Sequence, residues 1–382
     1  ATFGAAGAAW LFSKETFIKE DSFLSFGKLR ASYGTTGSDQ VGDYQFLDTY
    51  TTSGSAYNGI VGMDPTRLFN PNFSWEINRK LEIALETGFF HDRLFFTAAG
   101  YRNRSSNQLV GIPLPATTGF SSVSANLDAV VENSGLEFTL RTINFSNPNF
   151  KWSTNFNITV ARNRLVSFPG LEGSTYSNRY VIGRPTTIAK TYQFNGVNPS
   201  TGIYEFEDVN KDGIISIEDR QTVVDLTPKY YGGLQNTIQY KRLQLDFLFQ
   251  FVKQQNYDYS SYVPGGSFTN QPKDMIHAWN NQGDIMPYQI NTSGQNSAAV
   301  NAYYNYSDSN AGIVDASYIR LKNISLSYDL PLETVKGVLC RLSLQGQNLL
   351  TFTPYKNGDP EFRFSGYLPP LQIFTAGVQL TF

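Results

Sequence analysis

The sequence predicts an all-β fold: an antiparallel transmembrane β-barrel portion of about eleven strands, carrying long extracellular loops. Three observations carry this reading. Apolar residues alternate with period two along strand-length segments. The connections between those segments alternate short and long. No run approaches the ~18 apolar residues that a spanning helix needs.

Composition narrows the field first. The 382 residues carry Lys+Arg 30 against Asp+Glu 32, a net charge of −2, with 15% aromatic and only 16% charged residues, where about 25% charged is usual. Such a chain has too much apolar surface for a disordered segment. It lacks the basic excess of a nucleic-acid binder. Cys340 stands alone, which excludes an intrachain disulfide, and with only His91 and His277 beside it a Cys/His zinc site of four ligands is excluded too. There is no H-E-x-x-H, no G-x-S-x-G and no phosphate-binding Gly-rich loop. No catalytic residue is assigned, and the chain is read as a non-enzyme.

Strands are read at 1–12, 24–34, 79–90, 93–102, 133–143, 149–162, 230–240, 242–253, 316–328, 338–350 and 371–382. The clearest is 243–251, where Leu243, Leu245, Phe247, Phe249 and Phe251 fill one face while Gln244, Asp246 and Gln250 fill most of the other. Leu136, Phe138 and Leu140 alternate with Glu137, Thr139 and Arg141; Phe374, Ala376, Val378 and Leu380 repeat the form near the carboxyl end. Near Asn323 the phase slips from Ile319 and Leu321 to Ile324, Leu326 and Tyr328, which predicts a β-bulge. The connections run 11, 44, 2, 30, 5, 67, 1, 62, 9 and 20 residues. Short turns at one end and long loops at the other are the pattern of an outer-membrane barrel. A soluble sandwich also alternates, but its strands average about 5–6 residues and nothing segregates its loops by length. The polar positions Glu137, Arg141, Gln244, Asp246, Arg320, Lys322, Arg341 and Gln345 are read as a wetted interior wall.

Eleven strands is an odd number, whereas single-chain bacterial barrels are even. An open sheet in lipid leaves unpaired backbone groups. The expectation is therefore a partner in the form of a missing amino-terminal barrel half.

At the level of residues the chain resembles the carboxyl-terminal part of the SusC/RagA family of TonB-dependent outer-membrane transporters. The matching segments are KLRASYG at 28–34, SWE at 74–76, TGF at 118–120 with ENSGLE at 132–137, and IGRP at 182–185. They continue with DVNKDG at 208–213, TPKYYGG at 227–233, ASYIRLKNI at 316–324, GQNLLTF at 346–352 and DPE at 359–361. The resemblance implies that residues 1–382 form roughly half of a 22-stranded barrel. It also implies coupling to TonB through a plug, and a SusD-type surface lipoprotein over the mouth. The plug and TonB box have no counterpart among these residues. Phe382 matches the terminal aromatic read by barrel-assembly machinery.

Two loops are singled out within 1–382. The loop 163–229 contains a calcium-type motif: Asp208, Asn210, Asp212, Ser216 and Asp219 offer side-chain oxygens, Ile214 a carbonyl, and Gly213 the sharp turn. Asp219 stands where a bidentate Glu is usual. The alternative is a hydrated acidic turn. The loop 254–315 is rich in aromatic residues, among them Tyr257, Tyr259, Tyr262, Trp279, Tyr288, Tyr303, Tyr304 and Tyr306; these suit recognition of a substrate or protein partner, or packing within the loop. No substrate-binding residue is assigned.

The functional expectation is part of an importer of glycan fragments or peptides, embedded in outer-membrane lipid. The competing class is a surface-exposed outer-membrane β-protein that adheres or binds without transport.

Overall fold

The structure is a computed structural model, and it describes all residues except 1, 20–22, 39–43, 45, 71–72, 121, 259–272, 332–338, 357, 363–367 and 382. Phe382, Tyr259 and Tyr262 therefore lie outside the described residues.

Eleven long strands form one sheet: β1 (Gly4–Trp10), β2 (Leu24–Ser38), β3 (Glu76–Phe89), β4 (Leu94–Pro113), β5 (Ser122–Ser146), β6 (Phe150–Ser167), β7 (Tyr230–Tyr240), β8 (Leu243–Lys253), β9 (Tyr318–Leu330), β10 (Leu339–Phe352) and β11 (Ile373–Thr381). Their spatial order is their sequence order. All eleven predicted strands are present. β4 and β5 run well past the predicted limits of 102 and 133. The added stretch of β4 from Asn103 to Gln108 is polar on both faces and carries no alternation. The added stretch of β5 does alternate, with Val123, Ala125, Leu127, Ala129 and Val131 at every second position, a signal that the predicted limit leaves unused.

The chain divides into two compact units, one of Ala1–Thr87, Thr97–Glu137 and Ala161–Thr186, the other of Gly88–Phe96, Phe138–Val160 and Thr187–Phe382. In the second unit the register makes the two faces explicit. Trp152 pairs with Ile238, Ile238 with Leu245, Leu245 with Leu326, Leu326 with Leu344 and Leu344 with Ala376. Directly opposed residues share a face, so six strands present one continuous apolar row. One residue along, Ser153, Thr237, Asp246, Ser325, Gln345 and Thr375 form a continuous polar row on the other face. Phe249, between Leu234 and Leu321, belongs to the apolar side.

The predicted bulge is present. Leu248 faces Asn323 while Phe249 faces Leu321, so Lys322 is the extra residue. β10 answers opposite it, with Gln347 facing Asn323 and Leu350 facing Leu321, and Asn348 in the left-handed region at φ 54°. These irregularities let both apolar sets of β9 face the same way.

In the first unit β1 pairs with β2 from Gly4↔Thr35 to Trp10↔Leu29. Arg30 of β2 reaches Glu82 at 2.5 Å and Glu86 at 2.9 Å on β3. Leu81, Ile83 and Leu85 lie on the opposite, exposed face of β3. The face of β5 and β6 bearing Ala129 and Leu165 is covered by Phe168, Leu171, Tyr176 and Tyr180 from the loop that follows β6.

Candidate functional site

Each unit carries its own candidate functional surface: in the second, the long connections 187–229 and 254–317 with the polar face of the sheet, and in the first, the connection between β2 and β3. In the second unit, 187–229 folds around cores shared with 254–258 and 273–317. Two small strand pairs stand here. Ile188–Thr191 with Thr222–Asp225 packs through Ala189 and Val224 against Ile313 and Tyr257. Phe194–Val197 with Tyr204–Phe206 packs against Ala302, Tyr303 and Tyr306 of the helix α1 (Ser297–Ser307). Asn296 starts the helix by accepting the N–H of Ala299 at 3.1 Å. Tyr204 stacks on Tyr306 at 4.4 Å, and Phe194 packs edge-on against both at 5.4 and 5.1 Å. Buried Gln289 ties the layers, accepting from the Tyr204 N–H and donating to the Ala299 carbonyl. The Asn310 side chain accepts from the Phe194 N–H and donates to Gln193. Arg220 lies over Tyr192 and pairs with Asp308.

This geometry answers much of what the aromatic content posed. Trp279 and Tyr303 are buried, Tyr306 belongs to the stack, and Trp279 donates its indole N–H to the Pro199 carbonyl at 3.0 Å. Burial, with Tyr288 and Asp258 nearby, pushes the Tyr306 hydroxyl up to about 12; burial followed by Tyr306 itself raises Tyr204 further. Both phenols stay neutral and act as packing groups. Tyr304 is the exposed member of the helical group, at 59%.

The 208–219 loop is closed by its own carboxylates. Asp219, fully buried, accepts N–H bonds from Val209 and Ser216 at 2.8 Å each. Asp208 accepts from Lys211 and Gly213, and Asp212 from Ile214. Ser216 caps the short 3-10 turn Ile217–Asp219. Donation from the Ser216, Val209 and Asn210 backbones holds the Asp219 carboxyl below the usual carboxylate range. Lys211, at φ 60°, and Gly213, at φ 82°, supply the left-handed corners. Among the described residues no group of three or more Asp, Glu, His or Cys side chains stands as a metal-holding cluster. Calcium at Asp208, Asn210, Asp212, Ile214, Ser216 and Asp219 thus rests on sequence spacing. Val209, Ile214 and Ile217 point apolar surface outward from the same loop.

Sequence reasoning missed a polar clamp on the inward face. Arg320 donates to Asp359 at 2.6 Å, Glu361 at 2.7 Å and Thr351 at 3.0 Å. Lys322 stands 3.7 Å from Glu361. Gln254 donates to the Pro360 carbonyl at 2.6 Å, and the buried Asn256 amide donates to that of Phe362. Arg320 is 1% exposed. It was expected on a wetted wall, but 359–362 folds over it and excludes the water. The signal was present as two separate motifs, YIRLK at 318–322 and DPE at 359–361; nothing in either announces the other.

In the first unit the hairpin Thr49–Tyr57 with Ile60–Arg67 stands apart as its own two-stranded sheet, turning at Asn58 and Gly59. Tyr57, Ile60 and Met63 are 90%, 72% and 66% exposed.

A family model described as TonB dependent receptor-like, beta-barrel matches residues 1–349. TonB-dependent receptor P3 of Formosa agariphila is 29% identical over the whole chain, and TonB-dependent receptor SusC of Bacteroides thetaiotaomicron is 25% identical over the whole chain. The solved structure of the RagAB peptide transporter contains a chain that superposes on all of this one with TM-score 0.84 at 25% identity. The chain spans 42% and 40% of the two receptors and 43% of the solved chain.

Proposed function

This chain belongs to the TonB-dependent receptor β-barrel family, and from that membership we infer that it supplies wall and outer loops to an energised outer-membrane importer. In this reading the apolar row from Trp152 to Ala376 faces lipid, and the polar row from Ser153 to Thr375 faces the conduit. That two-faced register is the observation that carries the proposal. The remaining wall, a plug and contact with TonB are assigned to the part of the relatives' length that this chain does not span. No bond is made or broken by these residues, and the imported material is glycan fragments or peptides.

The partner in this reading is a SusD-type surface lipoprotein. The hairpin at 49–67 supports it, because an isolated two-stranded hairpin is marginal in water and this one exposes Tyr57, Ile60, Val61 and Met63. Calcium in the 208–219 loop is carried as a proposal by its spacing. It predicts stoichiometric calcium on elemental analysis and faster proteolysis of that loop after chelation.

The experiment uses the full-length receptor in outer membranes. Uptake of labelled oligosaccharides and of labelled peptides is measured with and without the proton gradient, alongside co-purification of a surface lipoprotein for the wild type and for Tyr57→Ser/Ile60→Ser. Gradient-dependent uptake of either cargo, with the lipoprotein lost in the variant, is the expected result. Cell-surface binding of ligand with no gradient-dependent uptake sinks the importer reading.

A further inference from the structure

On the outward face of the first unit the apolar wall gives way to arginine. A Cβ built on Gly100 of β4 would lie 3.5 Å from the side chain of Leu136 on β5, so these two share a face, and Leu136 is 51% exposed. Continuing with period two along β4, that face carries Arg102 and Arg104; along β5 toward its start it carries Glu132 and then Asp128. The side chains confirm the sharing. Arg102 and Arg104 each bring Nε to one Glu132 oxygen, at 2.6 and 2.7 Å, and Arg164 of β6 reaches the other at 3.3 Å. Arg162 is exposed on the same face of β6, two residues earlier. On β3, Arg79 follows Leu85, Ile83 and Leu81 on their exposed side. The opposite face of β5 and β6 is the one covered by Phe168 and Leu171, so the arginines are on the uncovered side.

Glu132 is nearly buried at 10% of its side chain, while Arg102, Arg104 and Arg164 stay 49%, 39% and 53% exposed. One carboxylate orients three guanidinium groups and leaves most of their outward N–H donors free. Five arginines face two acids, Glu132 and Asp128, so the patch is strongly positive. It begins about four residues, roughly 13 Å of strand, beyond Leu136 toward the long-loop end. If lipid meets Leu136, that is the depth of the outer headgroups.

We propose that Arg79, Arg102, Arg104, Arg162 and Arg164, oriented around Glu132, form a binding site for the phosphate groups of an outer-leaflet glycolipid. Planar guanidinium forks match phosphate oxygens in bidentate fashion and are lightly hydrated, which suits a headgroup interface. Their aliphatic stems can lie along the strand while the charge rises to the phosphate. The inference rests on the membrane reading above and adds to it a particular lipid chemistry and position.

The test is native mass spectrometry of the full-length receptor in detergent, titrated with bisphosphorylated lipid A, with the same lipid stripped of its phosphates, and with inorganic phosphate as competitor. Insertion into phosphatidylcholine vesicles is followed in parallel. The wild type is expected to bind the phosphorylated lipid about tenfold more tightly than the stripped one. The variant R102Q/R104Q/R164Q loses that preference, and R102K/R104K/R164K, which keeps the charge, retains part of it. Equal binding of the two lipids, or an unchanged preference in the glutamine variant, overturns the proposal while leaving the membrane reading intact. Displacement of the lipid by millimolar inorganic phosphate overturns it in favour of a free anion. A receptor that does not insert into vesicles removes both readings together.

Discussion

Arg320 donates through Nη2 to Asp359 Oδ2 across 2.6 Å, and the two side chains are 1% and 8% exposed. A cation on β9 and an anion 39 positions later are thus withdrawn from water as a pair. Neutralising Asp359 leaves Arg320, among the described residues, only Glu361 and Thr351 as acceptors and removes its better-shielded counter-charge. The loss is expected toward the lower end of the about 3–5 kcal/mol seen where a buried pair is broken outright. Asp359→Asn is therefore expected to destabilise the receptor strongly and to free 353–362 for proteolysis. Glu361, at 34% exposure, is better solvated, so Glu361→Gln should cost about 1 kcal/mol or less. Denaturant titration of both variants, with limited proteolysis, checks the ranking; equal effects would refute it.

Phe249→Arg tests the facing of the sheet. Placed between Leu234 and Leu321, the new charge enters the lipid band and should cost about 2–4 kcal/mol if it lies near the bilayer midplane. Ser325→Arg, set beside Asp246 and Gln345 on the other face, should fold with little loss. Refolding of the full-length receptor into lipid vesicles distinguishes the two, and a neutral Phe249→Arg contradicts the assigned register.

Asn236 is a polar residue on the apolar face. It is only 7% exposed, and its Oδ1 accepts the Trp152 indole N–H at 2.9 Å and the Thr154 hydroxyl at 2.7 Å. Asn236→Leu improves the local hydropathy yet leaves two donors without their acceptor. The expected outcome is a net loss of about 1–3 kcal/mol, with a shift in Trp152 fluorescence. A gain in stability would show that the acceptor is dispensable.

Asp219 gives the 208–219 loop a pH dependence with a definite sign. Its folded-state carboxyl is held below the free value by backbone donors, so its contribution is present above the ordinary carboxylate range, about pH 4, and is lost as pH falls through the depressed folded value. Hydrogen exchange at Val209, Asn210 and Ser216 should stay slow at neutral pH and quicken on acidification below that range. Asp219→Asn should exchange quickly at neutral pH as well. A wild-type loop equally protected at pH 7 and pH 2.5 argues against this linkage.

The legible part of the fold was the part in contact with oil. Period two in 243–251 and the phase slip near Asn323 located β8 and the Lys322 bulge because a lipid-facing side must be apolar at every second position. Where water lies on both sides, as from Asn103 to Gln108, that constraint vanishes and β4 continued unannounced. The loop aromatics were legible as residues but not as a core: Tyr204 and Tyr306 are 102 positions apart, and only the folded chain makes them a stacked pair. The Arg320 clamp was hidden for the same reason, since its two halves are ordinary polar motifs until 359–362 lies over β9. The 208–219 spacing was legible, while the choice of backbone N–H groups as its partners was not.

The shared packing of the outer loops constrains how this molecule can be re-engineered, and how its specificity can diverge. Phe194, Tyr204 and Phe206 come from one connection, and Tyr303 and Tyr306 from the next, yet they fill a single interior. A graft that exchanges one connection alone carries away half of that interior and leaves the remainder without its complement. The transferable cassette is the pair, 187–229 with 254–317, and sequence drift in one is answerable to the other.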